Sequence, residues 1–176
     1  MTTNKEIRSN TVDHLNNHEI IIRRCTLDDL DAVIRVNERE LPEDYPYFFY
    51  KSILDNYPEA FLVAQSYDGK IIGYIMWRVE KTPTLDSLRY RTNGHLVSIA
   101  VSLEYRKRGV AKALLSNSMA AIKKYKIQEY VLEVRVSNYN AIKLYEQFNF
   151  RVVNIKKKYY RDGENAYYMA LNSKKS

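Results

Sequence analysis

The sequence predicts a single mixed α/β domain built around a strand–helix–strand crossover, and three stretches of the 176-residue chain carry that reading. HLVSIAV, at residues 95–101, is a nearly continuous apolar run of the kind buried on both faces of a sheet. SLEYRKRGVAKALL follows at 102–115, where Gly109 opens a segment with Val110, Leu114, Leu115, Met119 and Ile122 at helical spacing. YVLEVRV, at 130–136, supplies the next β-branched strand. A chain of this length buries one full core, and it contains no repeat, low-complexity tract or linker that would divide it.

The remaining elements follow in order. Residues 19–25 (EIIIRRC) read as a strand, and TLDD then offers Thr26 as a helix cap with Asp29 three residues on. Leu27, Leu30, Val33, Ile34 and Leu41 repeat at helical spacing behind it. Pro46 and Pro58 bound a second helical segment. AFLVAQS and KIIGYIMWRVE flank Tyr67-Asp68-Gly69, a hairpin turn. Residues 81–94, with Pro83 and Gly94, read as the longest loop. NAIKLYEQF places Ala141, Leu144, Tyr145 and Phe148 on one helical face. FRVVNIKKKYY and AYYMAL close the chain as a hairpin around Asp162-Gly163.

Composition narrows the function. The formal charge of +7 suits an acidic partner such as nucleic acid, a ribosome surface or a phosphorylated cofactor. Cys25 is the sole cysteine, which excludes an intrachain disulfide and a cysteine metal cluster and fits a reducing, cytoplasmic setting. No apolar run approaches a membrane span, and the polar start lacks the apolar segment of a secretory signal. Residues 1–18 are expected to form a flexible polar extension ahead of one domain over 19–176. Sixteen tyrosines against five phenylalanines suggest that some phenols line a polar cleft.

The crossover poses a chemical question. Arg106, Lys107 and Arg108 sit at a helix start that already carries partial positive charge, so a bound anion would relieve the conflict. A strand turning into a helix at Gly109 leaves backbone N–H groups free to bind one. The spacing matches neither the P-loop nor the dinucleotide fingerprint. Read alone, the turn is equally a basic surface bend.

Arg106-x-x-Gly109-x-Ala111 after VSIAV resembles the acetyl-CoA pyrophosphate loop (Q/R-x-x-G-x-G/A) of the GNAT acetyltransferase superfamily. LPEDYPYFFY, GHLVSIAV, LEVRVSNYNAIKLYEQFNF and KKYYRDGENAYYMAL resemble, in the same order, segments of its amino-terminal protein acetyltransferases. The resemblance is to the archaeal, RimI-like branch related to the catalytic subunit of the eukaryotic NatA complex, and it spans about residues 19–171. It implies the GNAT fold: a mixed, mostly antiparallel sheet with a splayed parallel strand pair and flanking helices. It also implies acetyl-CoA as cosubstrate and no required metal. Ile99, Ala100 and Val101 would bond the pantetheine arm, while Lys107, Arg108, Gly109, Val110, Ala111 and Lys112 would hold the pyrophosphate. Asn138 and Tyr145 match cofactor-contacting positions, with Tyr145 placed to protonate the departing thiolate. Tyr145 lies at i+4 from Ala141, so a core role is equally open.

The implied reaction is direct attack by a protein's free amino terminus, in a ternary complex, and it needs a neutral amine. Glu43 and His95 stand out as candidate bases, and the resemblance implies that Glu133 marks a place for a second one. Glu43 in LPEDY matches a glutamate beside the substrate amine, although by itself it reads as a solvated loop carboxylate. His95 opens the central strand in phase with Val97, Ile99 and Val101, where a histidine is ordinarily a satisfied core residue; relatives carry a catalytic tyrosine or histidine there. Glu133, on the adjacent parallel strand, could hold a water with His95 or capture an incidental divalent ion. Tyr45, Ile99 and Tyr160 would bind the first peptide groups, and Leu41 and Pro42 would shape the pocket. Acetylation of lysine or a small amine is the alternative, followed distantly by a basic adaptor for ribosomal RNA. The sequence leaves open an auxiliary subunit and the preferred amino termini.

Overall fold

The computed structural model describes residues 20–84 and 87–172; the extension expected at 1–18 lies outside them. The chain begins with β1 (Ile21–Arg24) and a single 3-10 turn (Leu27–Asp29) that leads into α1 (Leu30–Glu40). Asp29 Oδ2 accepts from both the backbone N–H and the hydroxyl of Thr26, at 2.8 Å each, so the TLDD motif does cap this entry. Leu27 belongs to the turn and stays 53% exposed, outside the inward stripe expected from its spacing. Leu41 is extended (φ −129°, ψ 144°), as a residue before proline must be, and α1 ends there. α2 (Tyr47–Asn56) is bounded by the two expected prolines. β2 (Phe61–Gln65), β3 (Ile71–Thr84), β4 (Ser87–Val101), α3 (Val110–Ile122), β5 (Glu129–Arg135), α4 (Tyr139–Gln147), β6 (Arg151–Lys156) and β7 (Ala166–Asn172) complete the described chain.

These strands form one seven-stranded sheet in the order β1-β2-β3-β4-β5-β7-β6. Every pairing is antiparallel except β4 with β5. Alternation along β2 and β3 sorts side chains to two cores. Leu62, Ala64, Ile75 and Trp77 join Leu114 and Leu115 of α3 and Tyr145 of α4 on one face. Phe61, Val63, Tyr74 and Met76 join Leu30 and Val33 of α1 and Tyr50 and Ile53 of α2 on the other. The two-sided burial expected of HLVSIAV follows, since Leu96 and Val101 belong to the first core and Ala100 to the second. Trp77 is fully buried and spends its indole N–H on Ser118 Oγ at 2.9 Å, pinning α3 to the sheet.

Two expectations change. Residues 81–94 are not a loop: they lengthen β3 and β4 into a hairpin arm paired out to Thr84↔Ser87. Pro83 is tolerated because β2 pairs with β3 only as far as Met76, which leaves an edge beyond it. The phase of β4 also shifts. Met76 pairs with Ser98 and Trp77 with Leu96, so Val97 is an extra residue, a β-bulge. Val97 packs on the α1–α2 face, whereas Ile99 and Val101 pack on the α3 face, so of these three only Val97 keeps the phase of His95.

Gly73 of β3 pairs with Val101 at the end of β4. A Cβ there would stand 2.9 Å from the carbonyl oxygen of Ala100 and 3.3 Å from Val101. Gly73→Ala should therefore cost roughly 1–3 kcal/mol, as overpacking does. Urea unfolding measures this, and a variant as stable as the parent would show that the strands have room to give.

Candidate active site

The site begins where β4 and β5 part. Residues 93–96 pair in parallel with 129–132, and among the described residues β4 has no strand partner on that side from Val97 onward. Ile99, Ala100 and Val101 thus lie along a free sheet edge, past a bulge and above the N-terminus of α3. The chain leaves that edge through residues 102–109 and enters α3 at Gly109, whose φ of +81° is left-handed and suits glycine. Lys107 shares that region at φ +60°, so the turn is contorted at two points. The first helical hydrogen bond runs from Ala113 N–H to Gly109 O at 2.9 Å, which leaves the Val110, Ala111 and Lys112 N–H groups ahead of the ladder. Such a concave, N–H-rich turn attracts anions.

The three cations before Gly109 divide their work. Arg106 pairs with Glu40 of α1 at 2.6 Å and donates to Val101 O at 3.0 Å, so it braces the turn. Lys107 and Lys112 are exposed, and Arg108 lies over the Tyr105 ring at 5.3 Å. Asn138 caps α4, its Oδ1 accepting from Ala141 N–H at 3.2 Å. Tyr145 is buried against Phe150, and burial raises its phenol pKa, so the hydroxyl keeps its proton.

At the other end of the fork His95 Nε2 donates to Glu133 Oε2 at 2.6 Å, and its Nδ1 faces Glu80 Oε1 at 3.4 Å. The expected water between His95 and Glu133 has no room, because the groups bond directly. Lys156 of β6 closes the cluster on the second Glu133 oxygen.

The two tyrosine-bearing loops meet through a residue that the sequence did not single out. Arg135, at the end of β5, donates to Glu43 Oε1 from Nε at 3.1 Å and from Nη2 at 2.7 Å. Its Nη1 reaches Asp162 and Glu164, each at 2.7 Å, and its guanidinium lies 4.0 Å from the centre of the Tyr160 ring. Glu43 is therefore an ion-pair partner, not a free loop carboxylate, and Tyr160 stands across from it. Tyr45 donates to Val97 O, the bulge carbonyl, at 3.3 Å, and its phenol pKa is pushed up to about 12 by burial and the nearby Glu43 charge. Arg135, Glu80 and Lys156 were the residues missed. Arg135 lies on β5, Glu80 on β3 and Lys156 on β6, far apart in sequence, and only the alternation of Glu133 and Arg135 on one side of β5 offers a signal.

Residues 27–150 match the Acetyltransferase (GNAT) family. This chain belongs to that family. An N-alpha-acetyltransferase of Sulfolobus acidocaldarius is 49% identical over 154 residues, covering 85% of this chain and 90% of that protein. The catalytic subunit of the N-terminal acetyltransferase A complex of Arabidopsis thaliana is 37% identical over 157 residues, covering 88% of this chain and 79% of its own. Among solved structures, Chaetomium thermophilum Naa20 in complex with a bisubstrate analogue aligns with a TM-score of 0.77 at 29% identity, over 87% of this chain and 86% of that one.

In this GNAT protein the electrostatics of the His95–Glu133 pair have a definite sign. Burial alone would lower the His95 pKa, but the hydrogen bond and charge of Glu133, aided by Glu80, outweigh it and hold the imidazole above its ordinary 6.5. Burial would likewise raise Glu133, yet bonds from His95 and Lys156 keep it below its ordinary 4.5. The His95 contribution to stability is complete below about pH 6.5 and is lost as pH rises through its folded value. The Glu133 contribution is complete above about pH 4.5 and is lost as pH falls. The pair is strongest between those limits. His95→Gln should flatten the decline in unfolding free energy from pH 6 to pH 8; an unchanged slope would show that His95 does not carry it.

Proposed function

We propose that this GNAT protein is an N-alpha-acetyltransferase that moves the acetyl group of acetyl-CoA to a protein amino terminus. The observation that carries the reading is the union, on one fork, of a free β4 edge, the Gly109 turn and a mouth closed by Glu43, Arg135 and Tyr160. The relatives' names point to the same activity, at up to 49% identity.

The residues present fit acetyl-CoA. The edge at Ile99, Ala100 and Val101, where Val101 O already accepts from Arg106, would present its outward backbone groups to the pantetheine amides. Val110, Ala111 and Lys112 N–H groups, with Gly109, Lys107 and Arg108, suit a pyrophosphate. Asn138 and Tyr145 of α4 would add contacts to the same cofactor. When bound, acetyl-CoA supplies a thioester whose carbonyl is open to attack by an amine. The chain's own task is to present that amine neutral and close. An α-amino group has a pKa of about 8, so a modest base is sufficient. Glu43 provides a carboxylate oriented by Arg135. His95 gains proton-accepting capacity as pH rises through its raised pKa, with the Glu133 carboxylate beside it to stabilise the imidazolium that forms. Tyr145 Oη, kept protonated by burial, holds a proton for the leaving sulfur. No metal is required.

Tyr45 and Tyr160 hydroxyls, with the Ile99 backbone, bind the first peptide groups behind the amine. A lysine side chain carries no such groups near its nitrogen, which favours the α-amine. The +7 charge suits work beside a ribosome in the cytoplasm, and no helix among the described residues is long and apolar enough to cross a membrane. The test offers acetyl-CoA with two peptides, one with a free amino terminus and no lysine, the other with a blocked terminus and one lysine. Mass spectrometry should find the first acetylated faster; the reverse order would overturn the reading in favour of lysine acetylation.

A further inference from the structure

Beneath the mouth, on the α1–α2 face of the sheet, three linked polar side chains are sealed into a largely apolar core that also holds the Tyr50 hydroxyl. Asn37 of α1 and Tyr74 of β3 are wholly inaccessible, and Ser98 of β4 is 7% exposed. The Tyr74 hydroxyl donates to Asn37 Oδ1 at 2.5 Å and shares a 2.7 Å bond with Ser98 Oγ, whose proton it accepts since its own is spent on Asn37. Asn37 Nδ2 then leaves the core and donates to the backbone carbonyl of Glu43 at 2.7 Å. Asn37, Tyr74 and Ser98 are thus linked in one run of hydrogen bonds, while the Tyr50 hydroxyl buried in the same core has no partner among the described residues.

Its direction is informative. Residues 41–46 link α1 to α2 without regular structure, and this short segment carries both Glu43 and Tyr45. Asn37 holds its middle by the Glu43 carbonyl, and Tyr45 holds its far end by the Val97 carbonyl, one residue before Ser98. Both ties end on the bulged part of β4, beside the free edge. An apolar trio of the same shape would fill the core equally well, since replacing both partners of a buried hydrogen bond is close to neutral for stability. What an apolar trio could not do is fix the Glu43 segment relative to β4.

We propose that Asn37 is a positioning residue for the acetyl transfer, with Tyr74 and Ser98 setting its side-chain orientation. The role rests on the reading given under Proposed function. Asn37 touches neither substrate. It holds the Glu43 carbonyl, and through it the carboxylate and the Tyr45 hydroxyl, at a fixed place beside the fork. Small displacements of such groups cost large factors in rate.

The test compares the parent with Asn37→Leu/Tyr74→Phe and with Tyr74→Phe alone. The double variant removes both ends of the Tyr74–Asn37 bond but leaves Ser98 Oγ and the Glu43 carbonyl without these partners, so its urea midpoint should fall while the fold survives. Its kcat/KM for the free-amino-terminus peptide should fall at least tenfold, while the Kd for acetyl-CoA by calorimetry stays within twofold. Tyr74→Phe changes one hydroxyl, keeps the Asn37–Glu43 bond and should lose threefold to tenfold, which decides the matter even where the double variant folds poorly. Parental kcat/KM in folded Tyr74→Phe, or an equal loss of acetyl-CoA affinity, would overturn the positioning role alone. A parent that acetylates only the lysine peptide would overturn the underlying reading and the proposal with it.

Discussion

Strand β4 keeps β5 as a partner for only four residues, and the parting beyond Leu96 and Leu132 organises the rest of the molecule. A bulge at Val97 falls just past the last pair, increasing local twist where the two strands separate. His95 and Glu133 lie at the branch point, Ile99 to Val101 on the freed edge, and α3 rises from its end. A parallel pair can splay in this way because α3 crosses over between its strands and covers one face, while α1 and α2 cover the other. An edge of this kind, shielded above and below, admits an extended ligand that pairs with it and little else.

The basic surplus is distributed with the same economy. Arg106 is matched by Glu40, Lys156 by Glu133, and Arg135 by Glu43, Asp162 and Glu164. Lys107, Arg108 and Lys112 remain on the turn that leads into α3, where the helix dipole also favours an anion. Arg135 is the counterpart on the peptide side. It gathers three carboxylates from two segments and stacks on Tyr160, so removing it would leave like charges facing one another. The segment 41–46 and the β6–β7 connection are held as one wall by that single guanidinium.

Local signals read well in the sequence. Thr26 with Asp29, the prolines around α2, Asp68-Gly69 and Gly109 each act within a few residues of chain, and each marks a boundary that the structure keeps. Non-local effects read poorly. Pro83 and Gly94 signal a loop, but β4 folds back on β3 as far as Thr84↔Ser87 and Gly94 also pairs with Tyr130 of β5, and this sheet pairing overrides them. The bulge at Val97 depends on the register of β3 and was invisible in β4 alone, so the face of His95 was misplaced relative to Ile99. Arg106 and Glu40 are 66 residues apart and Arg135 and Glu43 are 92 apart, separations that no helical or strand period reveals. Asn37 did leave a trace, since it falls at i+4 from Val33 on the inward stripe of α1, where a polar residue needs a partner.

The central claim is that the free edge of β4 is where acetyl-CoA lies. Amide hydrogen exchange, followed residue by residue with and without acetyl-CoA, tests it most directly. Slowed exchange at residues 97–101 together with 109–112 is the expected result. Protection elsewhere, with residues 97–101 exchanging as in the free protein, would contradict it.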